Sequence, residues 1–260
     1  MKMNQIKTKS VKDNWSYLLF ILVFLPLINL SAQNYVGTGG EFYTGNIGYD
    51  FTTSNVWQTD KSSNPGYYSW GSGATTYTGL SKTNNINGYV KKYGTDAFVF
   101  PIGTIGTTGP EFRTLSIATR TTGGSATDAY AAAWIAGDPT TELDPTSSNA
   151  THPITSVSGV ILGVSPLGQW DWQDLTNTGA GLGITVSIPE ITETAGVFNQ
   201  ASNLRLVGWD SATSKWVSLG TTGALTRTNY STLSGTMVAG IQAIGIGASC
   251  SAGIIYPTIQ

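Results

Sequence analysis

Apolar residues in this chain recur at every second position, and this periodicity constrains the fold more than any other feature. From Leu182 to Ile188 every second residue is aliphatic, and Gly, Thr and Ser fill the positions between. Trp170 and Trp172 likewise share one side of a strand, with polar residues on the other. A period of two places alternate side chains on opposite faces of a β-strand, and no segment has the period of a helix of ordinary length. The chain is therefore predicted to be all-β.

Further segments of this kind are separated by Gly, Asn, Asp and Pro, which end strands and form turns. They are Phe98–Phe100, Leu115–Ile117, Tyr130–Ile135, Val160–Val164 and Met237–Ile246, with a hairpin built from Leu204–Trp209 and Lys215–Leu219. Short strands at this spacing are typical of an antiparallel β-sandwich of the Greek-key or jelly-roll kind. We predict such a sandwich over residues 88–248, with five tryptophans in its core: Trp134, Trp170, Trp172, Trp209 and Trp216.

The first 32 residues have the pattern of a secretory signal peptide. Four lysines lead into an apolar run from Tyr17 to Leu30, and Ser31-Ala32 supply small residues before Gln33. The run is shorter than the roughly 20 residues that span a bilayer, so an uncleaved anchor is the lesser alternative. We expect the mature protein to be secreted, in the extracellular space or on the outer cell surface, without a transmembrane segment.

Residues 33–87 differ from the sandwich segment in composition. They are rich in Gly, Asn, Thr and Tyr and have few aliphatic residues. We interpret them as an irregular β-rich segment without an internal repeat, and leave open whether they pack on the sandwich. Residues 249–260 are expected to be a C-terminal tail or the start of a further region. Cys250 is the only cysteine, so a disulfide within the chain is excluded.

Charge argues against several classes of partner. Charged residues make up 11% of the chain, against roughly 25% in ordinary globular proteins. Beyond the leader, Lys91-Lys92 is the only pair of adjacent basic residues, so no basic patch for nucleic acid or an anionic membrane is expected. A surface rich in hydroxyl and amide groups suits contact with extracellular polysaccharide or with other surface proteins.

Three blocks of sequence resemble the β-sandwich unit of large secreted Bacteroidetes surface proteins. The blocks are GYVKKYG at 88–94, continued by AFVFPIG at 97–103 and FRTLSI at 112–117; VSPLGQWD at 164–171; and the hairpin of Trp209 and Trp216. The resemblance implies an exported sandwich, often sent out by type IX secretion, with a C-terminal sorting domain that this sequence does not show. It implies no established activity and no catalytic residues.

The sequence shows no pattern that is typical of catalysis. His152 is the only histidine and precedes Pro153 in a polar loop, and no Gly-x-Ser-x-Gly segment supplies a nucleophile for it. We expect a solvated loop histidine. A glycoside hydrolase is the remote alternative, since it needs only two carboxyl groups across a cleft. The chain is interpreted as a protein without enzymatic activity.

Two small sets of polar residues are candidate sites. Asp138, Glu142 and Asp144 lie close together in one loop, and we expect carboxylates that form turns and keep the surface soluble. A structural calcium ion held by these three residues is the alternative, because Ca²⁺ prefers several oxygen ligands, and no other cofactor is expected. Ser211, in Asp210-Ser211-Ala212 at the hairpin tip, resembles an acceptor of Bacteroidetes O-glycosylation.

Aromatic residues in the polar segment 33–87 are the candidate ligand-binding site. Flat rings among hydroxyl and amide groups are typical of carbohydrate-binding surfaces. The main interpretation is nevertheless that the rings pack on the sandwich in place of missing aliphatic residues, and sugar contact is the alternative. The leading interpretation of the whole chain is a structural or adhesive module of the cell surface or extracellular matrix, and the alternative is a carbohydrate-binding module that uses Trp57, Tyr67, Tyr68, Trp70 and Tyr77.

Overall fold

Regular structure in the described part of the chain is β-strand apart from two 3₁₀ turns, Val197–Asn199 and Ala201–Asn203. The computed structural model describes residues 34–52, 56–73, 77–106, 109–220 and 222–249. Within these ranges no helix is both long and apolar enough to cross a membrane. The strands in chain order are β1 (Tyr35–Val36), β2 (Glu41–Tyr43), β3 (Tyr49–Asp50), β4 (Trp57–Thr59), β5 (Tyr67–Trp70), β6 (Tyr77–Thr78), β7 (Ile86–Asn87), β8 (Tyr89–Tyr93), β9 (Phe98–Phe100), β10 (Gly103–Gly106), β11 (Gly109–Phe112), β12 (Leu115–Ile117), β13 (Ala129–Ala136), β14 (Ile161–Val164), β15 (Gly168–Asp174), β16 (Gly183–Ser187), β17 (Leu204–Asp210), β18 (Lys215–Ser218), β19 (Thr232–Thr236) and β20 (Ile241–Ser249).

Two sheets form the predicted sandwich. The larger has the strand order β18-β17-β20-β15-β13-β8-β5-β2, with β14 paired to β20, and the smaller has the order β19-β16-β12-β9. Pairing from β18 to β8, and throughout the smaller sheet, is antiparallel. The chain passes repeatedly from one sheet to the other, so few neighbours in a sheet are neighbours in sequence. The all-β prediction is confirmed.

Side chains from the inner faces of both sheets fill one core. Ile184 and Val186 of β16 are buried on the side that the alternation predicts. Trp172 of β15 meets Phe100 of β9 across the core, with ring centroids 6.5 Å apart. All five tryptophans assigned to the core are at most 7% exposed, but only Trp134, Trp170 and Trp172 lie in this core. Trp209 and Trp216 pack in a separate buried cluster with Val207, so the prediction is confirmed for the first three and wrong for these two. Burial of a large apolar side chain contributes roughly 1.5–3 kcal/mol, so these rings are a main source of stability.

The last part of the sandwich differs from the sequence-based assignment. The residues from Met237 to Gly240 turn between two strands, and the final strand, β20, extends to Ser249. Ser249 therefore belongs to the sandwich and not to a tail. Strand β19 escapes prediction because Leu233 is its only aliphatic residue.

Residues 35–93 form a short parallel β-solenoid, not an irregular segment. Strands β1, β2 and β3 each pair in parallel with the third strand after them, β4, β5 and β6. The same step joins β4 to β7 and β5 to β8. One circuit of the chain through the three sheets is here called a rung: rung 1 is β1–β3, rung 2 is β4–β6, and rung 3 begins with β7 and β8.

The solenoid contradicts the expectation that the chain has no internal repeat. Tyr35 aligns with Gln58 and Gln58 with Asn87, so residue types change from rung to rung and the repeat length is uneven. Aromatic rings fill the interior, as where Tyr68 packs on Phe42 and Trp70 with centroids 5.0 and 4.7 Å apart. These rings replace the aliphatic residues that sandwich strands use.

Strand β8 belongs to both parts of the molecule. It pairs in parallel with β5 and in antiparallel fashion with β13. The described residues from 34 to 249 accordingly group as one compact unit. The boundary expected at residue 88 thus falls inside a shared sheet, and the segment before it packs on the sandwich.

Candidate functional site

The structure places most of the predicted aromatic site inside the solenoid. Tyr68 and Trp70 are 0% exposed, and Trp57 and Tyr77 are partly buried against the same core. Tyr67 turns to the opposite face of the sheet, as alternation along β5 requires. A ring without an exposed face cannot stack on a sugar, so Tyr68 and Trp70 are corrected to structural roles.

The three predicted calcium ligands have separate surroundings. Asp138 accepts a hydrogen bond from the backbone N–H of Thr140 at 2.8 Å, which closes a turn. Glu142 is exposed, whereas Asp144 is fully buried. Within the described ranges, no three or more His, Cys, Asp or Glu side chains group as they would around a metal ion. The structure does not bring these carboxylates together.

Asp144 instead joins a buried polar cluster beneath the long loop between β13 and β14 (residues 137–160). Its Oδ2 lies 3.7 Å from Nε2 of His152, whose Nδ1 lies 2.9 Å from Oε1 of Gln169. The imidazole stacks on Trp209, with centroids 4.7 Å apart. His152 is 0% exposed, so the expectation of a solvated histidine is wrong. The loop carries it inward because Trp216 N donates to Ser156 O (2.8 Å) and pins the loop to β18.

Asp171 of β15 lies beside Asp144 in this cluster. Its carboxylate accepts hydrogen bonds from Tyr89 Oη at 2.5 Å, from Thr146 Oγ1 at 2.6 Å and from Thr146 N at 3.2 Å. Burial, and next the charge of Asp171, raise the pKa of Asp144 to about 9, while burial lowers the pKa of His152. Asp144 and His152 are therefore both uncharged at neutral pH, and their contact is not an ion pair.

The cluster contains groups that hydrolases use, in a closed position. Asp144, Asp171 and His152 are each fully buried. A glycosidase needs its carboxyl groups on either side of a cleft that admits the sugar, and a histidine base needs a nucleophile beside it. The ring neighbours of His152 are tryptophans instead. The arrangement supports a structural role, in which the cluster holds the loop 137–160 on the sheet.

A second polar and aromatic set lies on the open half of the same sheet face. The parallel register aligns Glu41 with Tyr67, and Tyr43 with Lys91 through the intervening strand. Sequence alternation alone indicates that Lys91 and Tyr93 share a face, but only the solenoid register brings rung 1 beside them. The set is here called the outer tyrosine face and consists of Glu41, Tyr43, Tyr67, Lys91, Tyr93 and Gln173.

Hydrogen bonds and cation–π contacts hold this face in place. Tyr93 Oη donates to Glu41 Oε1 at 3.0 Å, and Lys91 Nζ lies 3.5 Å from the same oxygen. Lys91 Nζ also lies 4.6 Å from the ring centroid of Tyr93 and 5.0 Å from that of Tyr67. Tyr67 Oη donates to Gln173 Oε1 at 2.7 Å. The face is thus ordered before any ligand arrives.

A groove of about 520 Å³ opens where this face meets the edge strand β2. Tyr43 is 58% exposed there, and its ring meets that of Tyr93 edge to face, with centroids 5.9 Å apart. Burial acts to raise the pKa of Glu41, but the nearby Ser69 hydroxyl, the hydrogen bond from Tyr93 and the charge of Lys91 lower it below its ordinary value. The groove therefore carries an ionised carboxylate at neutral pH. Its lining residues are Glu41, Tyr43, Ser72, Tyr93, Ala126 and Thr127.

Ser211 lies at the exposed tip of the β17–β18 hairpin. Its Oγ donates to the carbonyl oxygen of Gly240 at 3.1 Å, and Asp210 Oδ1 accepts from Ala212 N at 3.0 Å. O-glycosylation at this position stays a prediction. The predicted leader, at residues 1–32, and Cys250 lie outside the described residues.

Comparisons of the chain with models of protein families, with curated proteins and with solved structures found no match.

Proposed function

We propose that this protein is a non-catalytic adhesive module of the outer cell surface or extracellular matrix, which binds neighbouring molecules through the outer tyrosine face. The observation that carries the proposal is the contrast between two polar sets on one sheet. The set around His152 is closed beneath a loop, whereas the set around Tyr43 and Tyr93 faces solvent beside a groove. Exposed, pre-ordered aromatic and polar groups are typical of recognition sites.

Two features of the sequence support an extracellular location. The basic and apolar leader has the pattern of a signal peptide, and the blocks at 88–117 and 164–171 resemble those of exported surface proteins. A chain with few charges and many hydroxyl and amide groups suits a crowded extracellular layer.

Cell fractionation and surface binding test the proposal. The protein is expected in the medium or on the outer surface, and the purified, labelled mature protein (residues 33–260) should bind isolated cell envelopes or matrix in a saturable way. The Tyr43→Ala variant should bind less, because it removes an exposed ring of the face. Tyr35→Ala is the matched control, since Tyr35 is 56% exposed on the same solenoid but does not line the groove. A cytoplasmic protein, or a folded protein that binds neither material, contradicts the proposal.

A further inference from the structure

We infer that the groove beside β2 binds a glycan through an uncharged pyranose unit, with Tyr43 as the stacking platform. This inference rests on the proposed function and names its ligand class. Four separate segments supply the lining: β2, the turn after β5, the end of β8 and the loop before β13. Such convergence makes a defined binding site out of an edge of the sheet.

The Tyr43 ring is held in a fixed position while much of it stays exposed. Tyr93 supports it edge-on, at an interplanar angle of 79°. A Cβ atom added to Gly71 would lie 2.8 Å from Tyr43 Oη, so the hydroxyl packs directly on the glycine backbone. The electron-rich face of an aromatic ring attracts the carbon-bound hydrogens of a pyranose, so a fixed, exposed tyrosine suits sugar stacking.

The rim of the groove offers the hydrogen-bonding groups that a sugar needs. Hydroxyl groups come from Ser72, Tyr93 and Thr127, and the carboxylate of Glu41 lies among them. Thr127 Oγ1 is already positioned by Ser125 Oγ at 2.9 Å. A sugar hydroxyl both donates and accepts, and a rim with a carboxylate acceptor and several hydroxyl groups satisfies both functions.

The charges at the groove favour an uncharged ligand. Lys91 lies 3.5 Å from Glu41, its side chain is only 13% exposed, and two tyrosine rings cover it. Among the described residues that line the groove there is no cation, so an acidic sugar would meet the Glu41 carboxylate without a free positive charge. A cationic ligand would meet a carboxylate that Lys91 already neutralises. The groove therefore favours a ligand whose polar groups are uncharged hydroxyls.

The size of the groove agrees with a short stretch of polysaccharide. Its volume of about 520 Å³ falls within the roughly 300–1,000 Å³ that is common for sites of small ligands. A site of this size engages a few sugar units of a longer chain, so a surface polysaccharide can bind without entering the protein.

Affinity electrophoresis and calorimetry of the mature protein (residues 33–260) against a panel of polysaccharides test the inference. The panel contains neutral polymers (dextran, mannan, xylan and β-glucan) and acidic ones (alginate and polygalacturonate). We expect saturable binding to at least one neutral polymer. Tyr43→Ala should weaken that binding roughly tenfold, as expected for loss of one stacking contact and its packing. Tyr35→Ala, the matched control, should leave it unchanged.

A second variant tests the groove at a residue outside the solenoid. Thr127→Arg places a long side chain in the groove from the opposite loop and should abolish binding. This result does not depend on whether Tyr43→Ala lowers the stability of the protein. Tyr93→Phe keeps the ring, removes the hydroxyl group and should weaken binding severalfold.

Each contrary outcome has a separate meaning. Unchanged affinity in both Tyr43→Ala and Thr127→Arg overturns the assignment of the site. Binding to acidic polymers alone overturns the assignment of an uncharged sugar. If no polysaccharide binds but the protein still binds cell envelopes, the inference fails and the proposed function stands. If the folded wild-type protein binds neither polysaccharide nor cell envelopes, the inference and the proposed function are both overturned.

Discussion

Asp144 is a buried carboxyl group, and its surroundings determine how stability depends on pH. Its pKa in the folded protein is raised from the ordinary 3.8 to about 9, first by burial and then by Asp171. The folded state therefore binds a proton that the unfolded state releases between these two values. By linkage, this group's contribution to stability is fully present below about pH 4 and is lost as pH rises towards 9.

Replacing Asp144 with asparagine should remove this part of the pH dependence. The amide is isosteric, and its oxygen can still accept the hydrogen bond from Ser147 N, which is 3.3 Å long here. We expect Asp144→Asn to gain stability over wild type as pH rises from 5 to 9, by up to about 1.4 kcal/mol per pH unit. Urea unfolding at pH 5, 7 and 9 measures it. Asp138→Asn, in the same loop but outside the cluster, is the control.

His152 acts in the opposite direction, so the comparison must use differences between variants. Burial lowers its pKa below 6.5, and its contribution to stability is lost as pH falls below that value. Because Asp144 contacts His152, the clean comparison of wild type with Asp144→Asn is the range from pH 7 to 9, where the histidine is largely uncharged in the folded and unfolded states. If wild type gains stability over this variant between pH 7 and 9, the raised pKa of Asp144 is wrong.

At the scale of elements, the sequence predicts those strands whose own residues show the apolar alternation. Strands β9, β12 and β16 lie where alternation places them, because each buries one face against the other sheet. Strands β1–β7 contain two to four residues, and Val36 and Ile86 are their only aliphatic residues, so no aliphatic alternation marks them in the sequence. Their pairing joins strands that are far apart in the sequence, and no periodic pattern in the sequence predicts it.

The candidate site, too, can be predicted from the sequence only in part. Alternation along β8 predicts that Lys91 and Tyr93 share a face. It cannot predict that Glu41 and Tyr43 lie beside them, because that neighbourhood comes from the register of β2, β5 and β8. His152 illustrates a different limit, since its burial depends on the path of a long loop and not on any strand pattern.

Substitution of Gly88 tests how closely rungs 2 and 3 stack. Its φ is +152°, and a Cβ atom there would lie 2.8 Å from both N and O of Thr59 in rung 2. Gly88→Ala should therefore separate rungs 2 and 3 and lower stability by about 1–3 kcal/mol, the usual cost of one strained backbone position. Thermal unfolding measures the loss.

Gly37→Ala is the matched control for that variant. Its added Cβ would meet only the ring of Tyr35, at 3.6 Å, so its stability should stay near that of wild type. Equal stability of Gly88→Ala and Gly37→Ala would show that the rungs do not stack as closely as described.

At the scale of the whole molecule, β8 joins the solenoid and the sandwich through one continuous sheet. Core strands of such a sheet open only with global unfolding, whereas edge strands open locally. Strand β2 is the edge, β5 follows it, and β8 lies inside against β13. Stability should therefore increase along the sheet from rung 1 towards the sandwich.

Backbone hydrogen exchange should show this gradient directly. We expect amides of β2 to exchange fastest, those of β5 more slowly, and those of β8 as slowly as those of β13. Mass spectrometry of peptides from each strand measures the rates. If β8 exchanges as fast as β2, the solenoid unfolds independently and the shared sheet does not couple the two parts.

Rung 1 leaves the outer edge of β2 without a neighbouring strand among the described residues. A further rung added there would extend the larger sheet by one strand, and its alternate side chains would lie next to Glu41 and Tyr43. The sandwich core would not change, because the addition lies at the far end of the sheet. Evolution could thus widen or narrow the recognition surface in whole-strand steps, by duplication or loss of a rung, at no cost to the packing that keeps the protein folded.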